Sequence, residues 1–238
     1  MSKDEASGPQ QQPLLLKIAD SYTLSNFVPG SNAGLISLLT GIIERGSCEF
    51  VYLFGPHSSG KTHVLCALRD FAQRQGREAV YLNLQLARQL STRLIPERLP
   101  YLYLLDNVQE AAGLPDWEQA VFSLYNRWND AGRGTLLVSA DRSFDRLSFT
   151  RHDLAPRLGS GLICALEHLD ESGCIQALQL RAAERGFQIS TPTAQFMVTH
   201  GSRDMTHLMA VLDTLDEAQL KEQREITIPF VKRVLGLS

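Results

Sequence analysis

Five short stretches of the chain are apolar at nearly every position: Phe50–Phe54, Ala79–Leu84, Tyr101–Leu105, Thr135–Val138 and Leu162–Leu166. Runs of this length without polar alternation predict strands buried on both faces, as in a parallel sheet. Segments between several of them change to a helical period, as in THVLCALRDFAQRQG after the first run. Strand and helix alternating in this way predict an α/β fold, a doubly wound parallel sheet.

From about Asp170 the strand signal ends. SGCIQALQLRAAERG has apolar positions at helical spacing and closes on Gly186, and TPTAQFMVTHG opens with Thr191 before Pro192 and closes on Gly201. RDMTHLMAVLDTLDEAQL keeps a long amphipathic period, and TIPFVKRVLGL reads as a short final helix. Residues 21–168 are therefore expected to form the α/β unit and residues 169–238 a small all-helical lid. The first dozen residues, MSKDEASGPQQQ, are polar and rich in Gly, Pro and Gln, so residues 1–20 are expected to be a flexible tail.

Composition narrows the function classes. At 238 residues, 44% hydrophobic and 21% charged, the chain suits a soluble globular protein with a core unit and a smaller one. Its net charge of −3 offers no basic surplus for gripping nucleic acid directly. Cys48, Cys66, Cys164 and Cys174 show no CxxC spacing, and no HExxH pattern occurs, so reduced thiols and no dedicated metal site are expected. No apolar run reaches the ~18 residues of a membrane span and no basic-then-apolar leader is present, which predicts a cytoplasmic protein without membrane contact.

The chemistry centres on FVYLF running into GPHSSGKT: Gly55, Pro56, His57, Ser58, Ser59, Gly60, Lys61 and Thr62, followed by His63 at the head of a helix. A strand, a GxxxxGK[ST] loop and a helix together form a phosphate cradle. Backbone N–H groups and the helix N-terminus surround the phosphates, Lys61 neutralises them, and the Thr62 hydroxyl ligates Mg²⁺. Asp106, at the end of YLYLLD, is the expected second Mg²⁺ partner. The next residue is Asn107, where many nucleotide-hydrolysing proteins place a second acid; an amide cannot accept the proton of an attacking water. SADR follows the fourth run and sets Ser139, Asp141 and Arg142 at a carboxyl end, where Asp141 is a candidate γ-phosphate sensor.

With these residues laid out, the chain resembles the AAA+ family of bacterial replication initiators (the DnaA family), and within it the short homologues that inactivate the initiator. NFVPGSN is similar to the family's adenine-pocket segment, which implies Phe27 and Val28 near the base. LLDN resembles the regulators' own acidic strand end, VSADR resembles sensor 1, APRLGSG the arginine-finger segment and SRDMTHLM sensor 2. The resemblance implies that Arg157 is an arginine finger acting in trans, that Arg203 is the cis sensor, and that ADP or ATP is bound with Mg²⁺. Ser58 departs from the pattern, standing where many such loops have Gly.

The chain stops at Ser238 after the lid, where the initiators continue into a helix-turn-helix domain, and its segment QLARQLSTRLIPERLP is shorter than the initiators' insertion that contacts single-stranded DNA. Direct DNA recognition is therefore not expected. QQPLLL near the N-terminus has Q-x-x-L-x-L spacing, Gln11, Leu14 and Leu16, which resembles peptides that bind the replication sliding clamp (the polymerase β subunit). The implied function is a nucleotide-bound regulator that, on a DNA-loaded clamp, stimulates hydrolysis of DnaA-bound ATP, with weak intrinsic hydrolysis and room for a nucleotide-dependent homodimer. An AAA+ remodelling ATPase resembling a helicase loader on single-stranded DNA is the main alternative. A P-loop kinase and a pure adaptor are further ones.

Overall fold

A computed structural model describes residues 22–201 and 203–236. The tail peptide carrying Gln11, Leu14 and Leu16 lies outside them.

Two 3-10 turns, Leu24–Asn26 and Gly30–Asn32, lead into helix α1 (Ala33–Arg45), and strand β1 (Phe50–Phe54) follows. Helix α2 (Lys61–Arg74), strand β2 (Ala79–Asn83) and strand β3 (Leu102–Asp106) come next, then helix α3 (Pro115–Ala131) and strand β4 (Thr135–Ala140). The short helix α4 (Leu154–Leu158) and strand β5 (Leu162–Ala165) complete the sheet. Four further helices close the chain: α5 (Glu171–Glu184), α6 (Thr191–His200), α7 (Met205–Glu222) and α8 (Ile228–Leu235).

All five strands are parallel, in the order β2-β3-β4-β1-β5. They fall within two residues of the apolar runs. β4 extends to Ala140 because Leu53 and Phe54 of β1 keep pairing with Ser139 and Ala140. Two residues per side-chain repeat divides each strand between two cores. Val51 and Leu53 face Leu65 and Leu68 of α2 and Ile43 of α1, whereas Tyr52 faces the opposite way, with Tyr103, Trp117, Leu124 and Leu158. A third core, including Leu178, Val198, Leu212 and Phe230, lies among α5–α8.

The C-terminal helices start where their sequences supply a side-chain cap. Asp170 accepts from Gly173 N at 2.7 Å, Ser190 from Thr193 N at 3.3 Å, and Asp204 from His207 N at 2.9 Å. Each satisfies an N–H that the first turn leaves unpaired. Buried Glu118 of α3 does similar work across the chain, accepting from Gly113 N at 2.8 Å, Thr150 N at 3.0 Å and Arg151 N at 2.7 Å. Burial pushes its carboxyl upward, but these backbone donors outweigh burial and hold it below the usual carboxylate range. The segment leading into α4 is thus pinned to α3. No helix among the described residues is long and apolar enough to cross a membrane.

Candidate nucleotide-binding site

The loops after β1 and β3 both leave the sheet at its carboxyl end, separated by the single strand β4. Above them, between the sheet and the C-terminal helices, lies a cavity of about 580 Å³, in the usual range for a small-molecule site. It is lined by His57 to His63 on the loop side and by residues of α5 and α7 on the other.

The loop backbone explains its sequence. A Cβ on Gly55 would collide with the Leu166 carbonyl, and Gly60 adopts φ 96°, a conformation L residues rarely take. Lys61 is buried, and its Nζ donates to the carbonyls of Gly55 at 2.7 Å and Pro56 at 2.8 Å. Burial lowers the pKa of this ammonium, with Asp106 and Asp141 partly opposing. The Ser59 hydroxyl is buried without a hydrogen-bond partner, a donor left over beside a cradle of N–H groups. Cavity size, glycine geometry, lysine and orphan hydroxyl together fit a nucleotide's phosphates.

Asp106 is fully buried and collared by three hydroxyls. Thr62 donates to one carboxylate oxygen at 2.7 Å, Tyr81 donates to the same oxygen at 2.8 Å, and Ser139 donates to the other. Burial, then the Asp106 charge, drive the Tyr81 phenol far above its ordinary pKa, so it stays a donor. Among the described residues no three His, Cys, Asp or Glu side chains converge. The Thr62 hydroxyl and Asp106 are the pair that could hold a divalent ion alongside phosphate oxygens.

Asn107 lines the cavity in the left-handed region (φ 60°, ψ 48°), where Asn is tolerated. Its Nδ2 donates to Asn83 Oδ1 at 2.9 Å and its Oδ1 accepts from Gln109 Nε2 at 3.2 Å. Both ends of the amide are engaged.

At the other end of the cavity stand Tyr22, Phe27, Val28 and His63. The His63 ring packs edge-on to Phe27 at 5.0 Å and tilted on Tyr22 at 4.8 Å. Its Nε2–H lies 3.0 Å from Thr23 O and 2.9 Å from Asn26 Oδ1. Burial depresses its pKa to about 4, which makes it a neutral, flat wall. The Asn26 amide also donates to Glu184 Oε1 at 2.7 Å, linking this wall to α5.

Of the expected residues, Gly55, Pro56, Asp106, Asp141, Arg157 and Arg203 do not line the cavity. Asp141 forms a two-pronged pair with the Arg142 guanidinium, at 2.9 and 2.7 Å, and its backbone N–H donates to Gln109. The Arg142 hydrogen bond is the main cause of its lowered pKa. Arg203 is 68% exposed and bonded to Glu171 at 2.8 Å. Arg157 of α4 donates to Asn126 Oδ1 at 2.7 Å and lies 4.3 Å over the Phe122 ring and 5.6 Å from Tyr125. Asp153, its nearest acid in sequence, pairs with Arg151 instead.

Sequence reasoning missed Tyr81, Arg181, Arg185 and Thr206. Arg181 is buried, pairs with Glu184 at 3.0 Å and lies over the Tyr22 ring at 5.4 Å; Arg185 pairs with Asp213. Both line the cavity, as do Thr206, Met209, Ala210 and Asp213 of α7. Their three- and four-residue spacing is the signal a helical projection of α7 would have given.

Comparison with known proteins agrees with this architecture. Residues 170–235 match the model of the Hda lid domain. An uncharacterized protein of Haemophilus influenzae is 40% identical over 230 residues, spanning 96% of this chain and 99% of that protein. Domain III of the Thermotoga maritima replication initiation protein DnaA superposes with a TM-score of 0.79 at 18% identity, covering 91% of this chain and 96% of that one. AMPPCP-bound DnaA from Aquifex aeolicus gives 0.68 at 19%, covering 86% and 70%. The Thermotoga maritima RuvB branch migration motor gives 0.70 at 15%, covering 91% and 72%. With a parallel five-stranded sheet, a glycine-shaped phosphate loop and a lid at residues 170–235 that matches the Hda lid domain, the chain has a DnaA-like AAA+ fold.

Proposed function

We propose that this protein is a nucleotide-bound regulator of replication initiation. Held on a DNA-loaded sliding clamp by its N-terminal peptide (Gln11, Leu14, Leu16), it presents Arg157 to initiator-bound ATP and stimulates its hydrolysis. The observation that carries this reading is the setting of Arg157. A neutral amide and two aromatic rings hold the guanidinium, and no carboxylate among the described residues pairs with it. Its charge is thus available to a phosphoryl group outside the cavity of its own chain, and arginines supplied in trans accelerate phosphoryl transfer by ~10³–10⁵.

The chain's own site supports the same division of labour. ADP or ATP, with Mg²⁺ at Thr62 and Asp106, would supply phosphate charge that fixes the loop and lid. Phe27, Val28 and His63 would enclose the base, and Lys61 would neutralise the phosphates. Asn107, engaged at both ends of its amide, provides no base, so intrinsic turnover is slow and the bound state persists. A protein that completes another's active site needs such a persistent state.

The test is hydrolysis of labelled ATP preloaded on the initiator, with this protein, clamp-loaded DNA and unlabelled ADP each omitted in turn. Conversion that requires all components, and that Arg157→Ala and Gln11→Ala both abolish, is the expected result. Full stimulation by Arg157→Ala would overturn the reading. Labelled ATP turned over by the protein alone on single-stranded DNA would favour a remodelling ATPase.

A further inference from the structure

The connection from β2 to β3 touches the nucleotide cavity only through Gln85, yet its backbone is fixed from within. Leu84, Ala87 and Ile95 are buried in the core that holds Trp117 and Leu124 of α3. Trp117 Nε1 donates to Ala87 O at 2.8 Å, and Arg127 Nη1 donates to Pro96 O at 2.8 Å and Glu97 O at 3.0 Å. The connection therefore runs beside α3 for the ~15 Å that separates those two anchors, tied at both ends. Its outer side chains form a preformed surface that needs little ordering on contact.

Those side chains are of two kinds. Leu86 is 52% exposed and Leu94 43%, two of the five large apolar side chains exposed among the described residues. Arg88 and Arg93 stand exposed between them, and neither guanidinium has a carboxylate, amide or ring partner among the described residues. From Ala79 to Pro96 the chain has no Asp or Glu, although its net charge is −3. A single exposed leucine needs no account, but leucines grouped with unpaired cations on a fixed backbone mark an interaction surface. Residues 84–97 include no aromatic, so the stacking by which proteins hold single-stranded nucleic acid is absent from them. Leucines and guanidiniums together fit an apolar protein patch bordered by carboxylates.

Helix α3 joins this surface to Arg157. Phe122 and Asn126, which hold Arg157, project from one flank of the helix, and Trp117 and Arg127, which hold the connection, lie toward the other. Between the flanks are Gln119, Ala120 and Ser123, uncharged and at least partly exposed. Connection, helix and α4 make one strip with Arg157 at its edge.

We propose that residues 84–97 are a docking platform for the same ATP-bound initiator that receives Arg157, meeting an apolar patch bordered by Asp and Glu on that partner. The identity of the partner rests on the proposed function. The platform supplies affinity and orientation, whereas Arg157 supplies charge at the reacting phosphate, so kinetics separates the two.

The test uses the full chain with clamp-loaded DNA and ATP-bound initiator. The double variants Leu86→Ser/Leu94→Ser and Arg88→Glu/Arg93→Glu are each expected to raise the concentration needed for half-maximal hydrolysis about tenfold or more, the scale of losing central interface contacts. The maximal rate should stay within about twofold of the parent, because uniform binding is lost and not transition-state charge. Direct binding to the initiator by interferometry, without the clamp whose tethering masks weak docking, should show the same losses, and the deficit of the charge-reversed variant should shrink as salt is raised. Gln89→Ala, an exposed neighbour, should match the parent, and melting temperatures should agree because every substituted side chain is exposed.

Binding and stimulation like the parent in both double variants would overturn the platform and leave the reading of Arg157 intact. Platform losses alongside full stimulation by Arg157→Ala would uphold the platform and overturn the arginine finger. A parent that does not bind the initiator removes both. Loss of self-association in sedimentation, or of binding to a labelled single-stranded oligonucleotide, with initiator binding unchanged would overturn the proposal in favour of a second copy or of nucleic acid.

Discussion

Arg157 donates to Asn126 at 2.7 Å while its guanidinium rests on Phe122. Two supports of different kind hold one side chain, one fixing direction and the other height. Arg157→Ala is expected to lower stimulated hydrolysis of initiator-bound ATP by ~10³ or more, whereas Asn126→Ala, which leaves the ring contact, should cost about three- to tenfold. Thermal unfolding of both variants should match the parent, because the residue is half-buried and its partners are neutral. Single-turnover hydrolysis and calorimetry together check this pair.

Asn107→Asp should not restore an efficient hydrolase. Asn83 Oδ1 already accepts from Asn107 Nδ2 and from Gln85 N at 2.8 Å, so a carboxylate oxygen would face an acceptor that cannot turn without losing the second bond. The loss is expected to be about 1–3 kcal/mol at neutral pH, and protonating the new carboxyl should reduce it. Chemical denaturation of the variant at pH 7 and pH 4.5, each referred to the parent at the same pH, measures both parts.

Tyr81→Phe removes one of the three hydroxyls around Asp106. Thr62 and Ser139 remain, so the carboxylate keeps a donor on each oxygen, and the expected cost is about 1.5–3 kcal/mol, as for a hydrogen bond to a charged acceptor. Because Thr62 must then hold that oxygen alone, weaker Mg²⁺-dependent nucleotide binding should accompany the lower melting temperature. Titrations with and without Mg²⁺ separate the two effects.

Neutral His63 gives a pH signature of its own. Its pKa falls to about 4 in the fold, against about 6.5 in an unfolded chain. Between these values the unfolded state binds more protons, so the contribution is whole above about pH 6.5 and is lost as pH falls toward 4, at up to ~1.4 kcal/mol per pH unit. His63→Gln, which can keep a donor toward Thr23 O, should flatten that slope while leaving the carboxylate-driven loss at lower pH. Urea denaturation across pH 4 to 7 is the measurement.

Much of this site was legible before its geometry. Strand runs, loop and acidic strand end are written contiguously, since each depends on neighbours within a few residues, and Gly55, Lys61, Thr62 and Asp106 converge as their spacing requires. What escaped the sequence depends on contacts between distant segments. Tyr81 reaches Asp106 because Asn83 is in register with it, and register is invisible from one strand. Arg203 and Thr206 are three residues apart, yet Arg203 precedes α7, so the helical period that aims Thr206 at the loop does not govern it.

The strand order carries a consequence for biogenesis. β1, which delivers the phosphate loop, pairs with β4 and β5 alone, so its Val51 waits for Leu162 to be synthesised before both edges are covered. The local helices can form early, but contacts of such long sequence separation close late. On a ribosome the loop would emerge well before the strands that fix it, and its cradle would be complete only after most of the chain is made. Truncated chains ending before β5 should therefore behave as chaperone clients and not as smaller versions of the same binding protein.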